Sequence, residues 1–195
     1  MAITNSPTFD VFGVNCDIAA DKNYSCYTDI LERFSLVFNC SLQRYSRVLF
    51  IRWDFKVHEY TDSNQVVSRM LRKLKLRLQR WGKGKVPIDN IGYGWVRELE
   101  RSKNQHYHLF LLLNGHKIRH PANLNEWLKK YCERNDLPHP YFPKNGYLLL
   151  RRGNDSDLNI AFKRASYLAK TRGKGYKGKN CKNYGTSRVT RYSPA

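Results

Sequence analysis

The chain has 195 residues, with 35 Lys and Arg against 16 Asp and Glu, a formal charge of +19, and 41% hydrophobic residues. This length and apolar content suit one folded domain with an appended arm or tail and exclude wholesale disorder, while the charge points to a polyanionic partner, of which nucleic acid is the commonest. No apolar run approaches the ~20 residues of a spanning helix, no secretion signal is visible, and the five cysteines form no Cys-x-x-Cys pair, so a soluble protein of the reducing cytoplasm is expected.

Residues 1–27 show no sustained period and are expected to wander over the surface. From Asp29 a capping-box-like Asp-x-x-Glu (Asp29, Glu32) opens a short helix with Ile30, Leu31, Phe34, Val37 and Phe38 on one side. Arg47 to Val57 alternates as a strand, with Arg52, Asp54 and Lys56 on the face that turns polar. Ser63 to Trp81 carries a helical apolar stripe, and its Arg69, Arg72, Lys73, Lys75, Arg77 and Arg80 stand elsewhere on the helix, as a solvated face or as phosphate contacts.

Two more strands follow, Ile91 to Glu100 and His106 to Leu113, then a helix from about Asn123 to Arg134. A fourth strand spans Tyr147 to Leu150, and a last helix roughly Asp157 to Thr171. The Gly-Lys stretch from Arg172 to Lys182 is too charged to fold alone and is expected to lie along a phosphate backbone. Three regions result: an arm and short helix over 1–45 packing on the core, a central domain over 46–172, and a basic flexible tail over 173–195. The order predicts an α+β fold, a central antiparallel sheet with helices mainly on one face and the chemistry on the other.

The chemistry gathers around Gln105-His106-Tyr107-His108-Leu109-Phe110. Side chains alternate along a strand, so His106 and His108 share a face, where two imidazoles can hold a divalent ion. If Arg101 to Gln105 form a hairpin loop, Glu100 lies opposite His106 and Glu98 opposite His108; both glutamates have the right parity to supply a carboxylate. Farther on, Tyr167 and Lys170 are three apart, so in a helix a phenol and an ammonium share a side and can reach one phosphate. A phenol attacks poorly at neutral pH unless its oxyanion is stabilised or its target polarised; the lysine serves the first need and a metal the second.

A His-hydrophobic-His strand followed by a helix bearing Tyr-x-x-Lys resembles the HUH endonucleases, the relaxases and rolling-circle replication initiators. Within that group Trp95-Val-Arg-Glu98, His106-Tyr-His-Leu, Leu112-Leu-Asn114, Tyr167-Leu-Ala-Lys170 and Tyr184-Gly-Thr-Ser-Arg188 resemble the inovirus-type replication proteins, also called the YagK/YfjJ carboxy-terminal domain family. The resemblance implies an RRM-like palm and a site-specific nick in single-stranded or hairpin DNA at the replication origin of a mobile element. It also implies a 5′-phosphotyrosine intermediate and a free 3′-hydroxyl, with host helicase and polymerase as further partners. By the same resemblance Tyr167 is the nucleophile and Lys170 assists. His106, His108 and Glu98, which follows the family-like Arg97, hold Mg²⁺ or Mn²⁺, and lysine at position 163 marks a single-tyrosine type.

Contacts to DNA are expected from Arg52, Lys56, Arg97 and Lys163, and from Arg172, Lys174, Lys177, Lys179 and Arg188. The competing reading is a non-catalytic single-stranded nucleic-acid binder or regulator that stacks bases on Tyr93, Trp95, Tyr107 and Phe110. A third is a repressor with the 63–81 helix in the major groove.

Overall fold

The computed structural model describes residues 2–20, 24–81, 88, 90–99, 105–174 and 181–188. Its amino-terminal arm is ordered rather than wandering. Ile3–Thr4 (β1) pairs with Cys26–Tyr27 (β4), and Thr8–Val11 (β2) turns back on Val14–Asp17 (β3). Sparse apolar residues explain the order: Val11, Cys16, Ile18 and Cys26 are buried, which no exposed arm would achieve. The first helix, Thr28–Arg44 (α1), is longer than predicted, and its N-cap is Tyr27 without a side-chain hydrogen bond, so the expected capping box does not form. Its apolar stripe and tertiary packing carry it instead.

The central motif follows the predicted order closely: Arg47–Lys56 (β5), Gln65–Gln79 (α2), Gly92–Leu99 (β6), Gln105–Asn114 (β7), Ala122–Arg134 (α3) and Tyr147–Arg151 (β8). This is a split β-α-β unit, strand-helix-strand-strand-helix-strand. The last helix, Asp155–Ser166 (α4), opens where Asn154 accepts a hydrogen bond from the Asp157 backbone N–H at 3.0 Å. It ends earlier than predicted and tightens into a 3₁₀ turn over Tyr167–Ala169. Tyr184–Thr186 (β9), assigned to the flexible tail by its charge, pairs with β6 at the sheet edge. The sheet order is β8-β5-β7-β6-β9, antiparallel throughout.

Among the described residues the helices do not keep mainly to one face; they divide two and two. Leu49, Ile51, Trp53, Phe55, Tyr107, Leu109 and Leu111 meet α2 and α3 on one face. Val48, Phe50, Val96, Phe110 and Leu112 meet α1, α4 and the arm on the other. Each of the four helices carries an apolar stripe that one sheet face could not bury alone. Gly94 marks close packing: a Cβ there would lie 2.5 Å from the Phe110 ring and 2.6 Å from that of Phe34. Those two rings meet edge to face at 4.8 Å. The face under α1 and α4 is therefore apolar at one end, and only the other end, at Asp54, Glu98, His106 and His108, is left for polar chemistry.

Candidate active site

Three strands deliver the polar end. On β7, His106 and His108 point to one face; β5 sets Lys56 opposite His106 and Asp54 opposite His108. On the other side β6 sets Glu98 opposite His106 and Val96 opposite His108. The predicted register, with Glu98 opposite His108, is therefore off by two residues, because pairing runs on to Leu99 and Gln105. A slip of two preserves the face, so the carboxylate is still delivered to the histidine pair. Glu100 lies outside the described residues.

Glu98 leans diagonally, and its Oε2 lies 3.2 Å from His108 Nε2, while Asp54 Oδ1 lies 2.9 Å from His108 Nδ1. The Nδ1 contact is close but off the N–H axis, an ion pair more than an aligned hydrogen bond. Burial alone would lower the His108 pKa, yet the two carboxylates outweigh it and push it up to about 9. Burial works against the Glu98 carboxylate too, but His108 and Lys174 hold it down at about 2. Asp54 is likewise depressed: His108 and Arg52 overcome the burial that would raise it. The imidazole is an imidazolium clamped between two carboxylates.

A return of the chain after the 3₁₀ turn completes the cluster. Gly173 adopts φ +74°, a left-handed conformation that suits glycine, and its carbonyl accepts from the Leu99 N–H at 3.0 Å. Lys174, the next residue, is buried and donates to Glu98 Oε1 at 2.6 Å and to the Lys170 carbonyl at 2.5 Å. It is thus a counterion of Glu98, not the free phosphate contact expected of a flexible tail, and burial lowers its pKa against the opposing pull of Glu98.

Tyr167 is 42% exposed. It sits on the 3₁₀ turn rather than in the α-helix, but residues three apart also align there, and Lys170 Nζ lies 4.2 Å from the centre of its ring. The Arg52 guanidinium lies 4.7 Å from the same ring and donates to Asp54 at 3.1 Å. A continuous chain of contacts therefore runs from Lys170 through Tyr167, Arg52 and Asp54 to His108, Glu98 and Lys174. Tyr24 of the arm, not foreseen, places its ring 4.0 Å from Lys170 Nζ, so one ammonium faces two phenol rings. No local pattern could have found it, because only tertiary packing brings the arm there.

The other expected DNA contacts separate. Lys56 and Arg172 are exposed beside the cluster, with Arg172 3.5 Å from the Tyr24 hydroxyl. Lys163 is exposed but pairs with Asp17 at 3.2 Å. Arg97 is not a surface contact: it is 2% exposed on the opposite face and donates to Cys181 Sγ at 2.6 Å and to the Thr61 carbonyl. Arg188 is exposed near the far end of β6, and Lys177 and Lys179 fall outside the described residues. Tyr107 faces away from the histidines, and burial pushes its pKa up to about 12. Of the four residues on which the competing reading would stack bases, Tyr107, Phe110 and Trp95 are buried and only Tyr93 is partly exposed.

His106, His108 and Glu98 are of the donor types that divalent ions take, and one pair of them, His108 and Glu98, is closely spaced. Two ligands about 2.0–2.2 Å from one ion stand roughly 3.0–3.4 Å apart, and the His108 Nε2–Glu98 Oε2 separation is 3.2 Å. Asp54 on the far ring nitrogen is the outer carboxylate that commonly orients a ligating histidine. His106, on the same face with its ring centre 6.3 Å from that of His108, is less closely drawn in. Among the described residues no three His, Cys, Asp or Glu side chains converge on one point.

The profile of the YagK/YfjJ C-terminal domain family matches residues 14–187. The chain is 26% identical over 179 residues to the uncharacterized protein YagK of Escherichia coli (strain K12), an alignment covering 75% of this chain and 86% of that protein. No solved structure gives a significant match. The chain belongs to the YagK/YfjJ C-terminal domain family. Among the described residues no helix is long and apolar enough to cross a membrane.

Proposed function

We propose that this member of the YagK/YfjJ C-terminal domain family is a metal-dependent, HUH-type endonuclease that nicks and rejoins single-stranded DNA to start replication of a mobile element. The observation that carries the reading is the exposed Tyr167, linked through Arg52 and Asp54 to a histidine–glutamate pair spaced like two ligands of one ion.

In this reading the Tyr167 oxygen attacks the scissile phosphorus, its proton leaves to solvent, the P–O3′ bond breaks, and the departing O3′ takes a proton from solvent. The product is a 5′-phosphotyrosine and a 3′-hydroxyl that a polymerase can extend. Lys170 and Arg52, both within 5 Å of the tyrosine ring centre, bring positive charge beside the attacking residue and hold the phosphate by charge. His106, His108 and Glu98 would hold Mg²⁺ or Mn²⁺, which when bound supplies Lewis-acid polarisation of the phosphate. Asp54 keeps the His108 Nδ1 side protonated, leaving Nε2 as the ligand atom. Because His108 carries a proton between its two carboxylates, metal competes with that proton. Joining reverses the cut: the 3′-hydroxyl attacks the phosphotyrosine and releases Tyr167.

The test is incubation of the protein, Mn²⁺ and labelled single-stranded origin DNA, with denaturing electrophoresis to detect a covalent adduct and mass spectrometry to locate it at Tyr167. The competing non-catalytic binder draws on His108, whose ring is already paired with two carboxylates without metal. A binder retains DNA affinity with or without chelator and forms no adduct; an enzyme forms one that Tyr167→Phe removes.

A further inference from the structure

A second opening lies at the other end of β6. It is a cavity of about 590 Å³ at the sheet edge, between α1 and α2. Arg44 and Tyr45 line it from the end of α1, Arg72 and Lys75 from α2, Tyr93 from β6, and Arg188 from just past β9. Among the described residues that line it none is acidic. Arg72, Lys75 and Arg188 are exposed at its mouth, whereas Tyr93 is partly buried in its wall. Backbone pairing fixes this arrangement: the Ser187 N–H donates to the Tyr93 carbonyl at 2.9 Å, and the Tyr93 N–H to Ser187 Oγ at 3.2 Å. The register holds Arg188 beside Tyr93.

A solvated charged face spreads its cations outward or interleaves them with acids. Here cations from three separate segments converge on one concavity whose walls include two partly exposed tyrosines, so the local potential is positive and aromatic side chains form part of the wall. The volume lies in the range of small-molecule sites, about 300–1,000 Å³, room enough for a base and its sugar. A ligand with a flat ring and a neighbouring phosphate satisfies both features. A base held in a duplex could not enter, whereas an unpaired one can stack on an aromatic ring while its backbone follows the cations.

Gly92 and Glu98 lie at opposite ends of β6, and six steps of about 3.3 Å put them roughly 20 Å apart. We propose that this cavity binds an unpaired nucleotide of single-stranded DNA, as a second contact about 20 Å from the His108–Glu98 cluster. The proposal rests on single-stranded DNA as the substrate class but not on the nicking chemistry.

The test measures fluorescence anisotropy of fluorescein-labelled oligo(dT), about 12 nucleotides long, with the full chain in chelator over a salt series. The double variant Arg72→Glu/Lys75→Glu is compared with Lys129→Glu/Lys130→Glu on α3, which makes the same change in net charge. The expected result is a tenfold or greater loss of affinity for the cavity pair and less than threefold for the α3 pair. The slope of log affinity against log salt should shrink by about 1.4 for the cavity pair, two phosphate contacts at about 0.7 each. Tyr93→Leu, which keeps the bulk but not the aromatic face, should weaken binding with the salt slope unchanged. Equal losses for the two charge pairs, or no binding by the unaltered protein, overturn the proposal. Binding that depends on the cavity while no adduct forms with Mn²⁺ upholds the cavity and sinks the nuclease reading instead.

Discussion

Phe50, Phe110 and Leu112 project from the same sheet face as Asp54, His106 and His108, a few residues along the same strands. The first group is sealed under α1 and α4 and holds by dispersion and water exclusion. The second lies where helix cover ends, and it closes instead with Lys174, Arg52, Tyr167 and Lys170. The comparison shows that strand periodicity assigns a face but not an environment. What docks over each stretch decides whether a residue there must be apolar or must find a counterion. His108, with two carboxylates, and Glu98, with two cations, are the consequence.

The two ends should break differently. The largest effect is chemical: Tyr167→Phe removes one oxygen from an exposed ring, and adduct formation should drop below detection on a denaturing gel while unfolding free energy moves by less than about 0.5 kcal/mol. Phe110→Ala at the sealed end should do the reverse. It empties a fully buried position between Phe34 and Phe38, and urea titration should show a loss of about 3–5 kcal/mol.

His108→Gln falls between these. It leaves two mostly buried carboxylates without their shared cation, and the same titration should show about 1–3 kcal/mol, together with loss of metal-dependent cleavage. Its effect should depend on pH. The His108 pKa rises from 6.5 to about 9 on folding, so the clamp's contribution is complete below pH 6.5 and is lost as pH rises through about 9. Glu98 moves from 4.5 to about 2, so its side of the same contact is present above pH 4.5 and lost as pH falls through about 2. In chelator, the stability gap between the unaltered protein and His108→Gln should be widest between those limits and shrink toward about pH 9.5. The smallest effect is expected for Lys163→Ala, whose exposed pair with Asp17 should contribute less than about 1 kcal/mol to thermal stability.

Much of the central motif was legible because its signals are local. Alternation over Arg47–Lys56 and the apolar stripe over Gln65–Gln79 each report a period that only one backbone geometry satisfies. The His-x-His pair reported its shared face for the same reason. The hairpin register was not legible, since a two-residue slip leaves every face unchanged. Charge misled twice. Arg97 and Lys174 read as surface cations but are buried against Cys181 and the Thr61 carbonyl, and against Glu98. The arm and β9 were missed because short strands are defined by partners far away in the chain.

Sequence by itself determined the kinds and order of the main elements, the common face of His106, His108 and Glu98, and the excess of positive charge, because each follows from spacing or composition along the chain. Tertiary structure alone decided that helices cover both faces, that Asp54 and Glu98 clamp one imidazole, and that Tyr24 joins Tyr167 on a single ammonium. The physical reason is that burial and charge pairing depend on which segments meet in space, and neither quantity has a period along the chain.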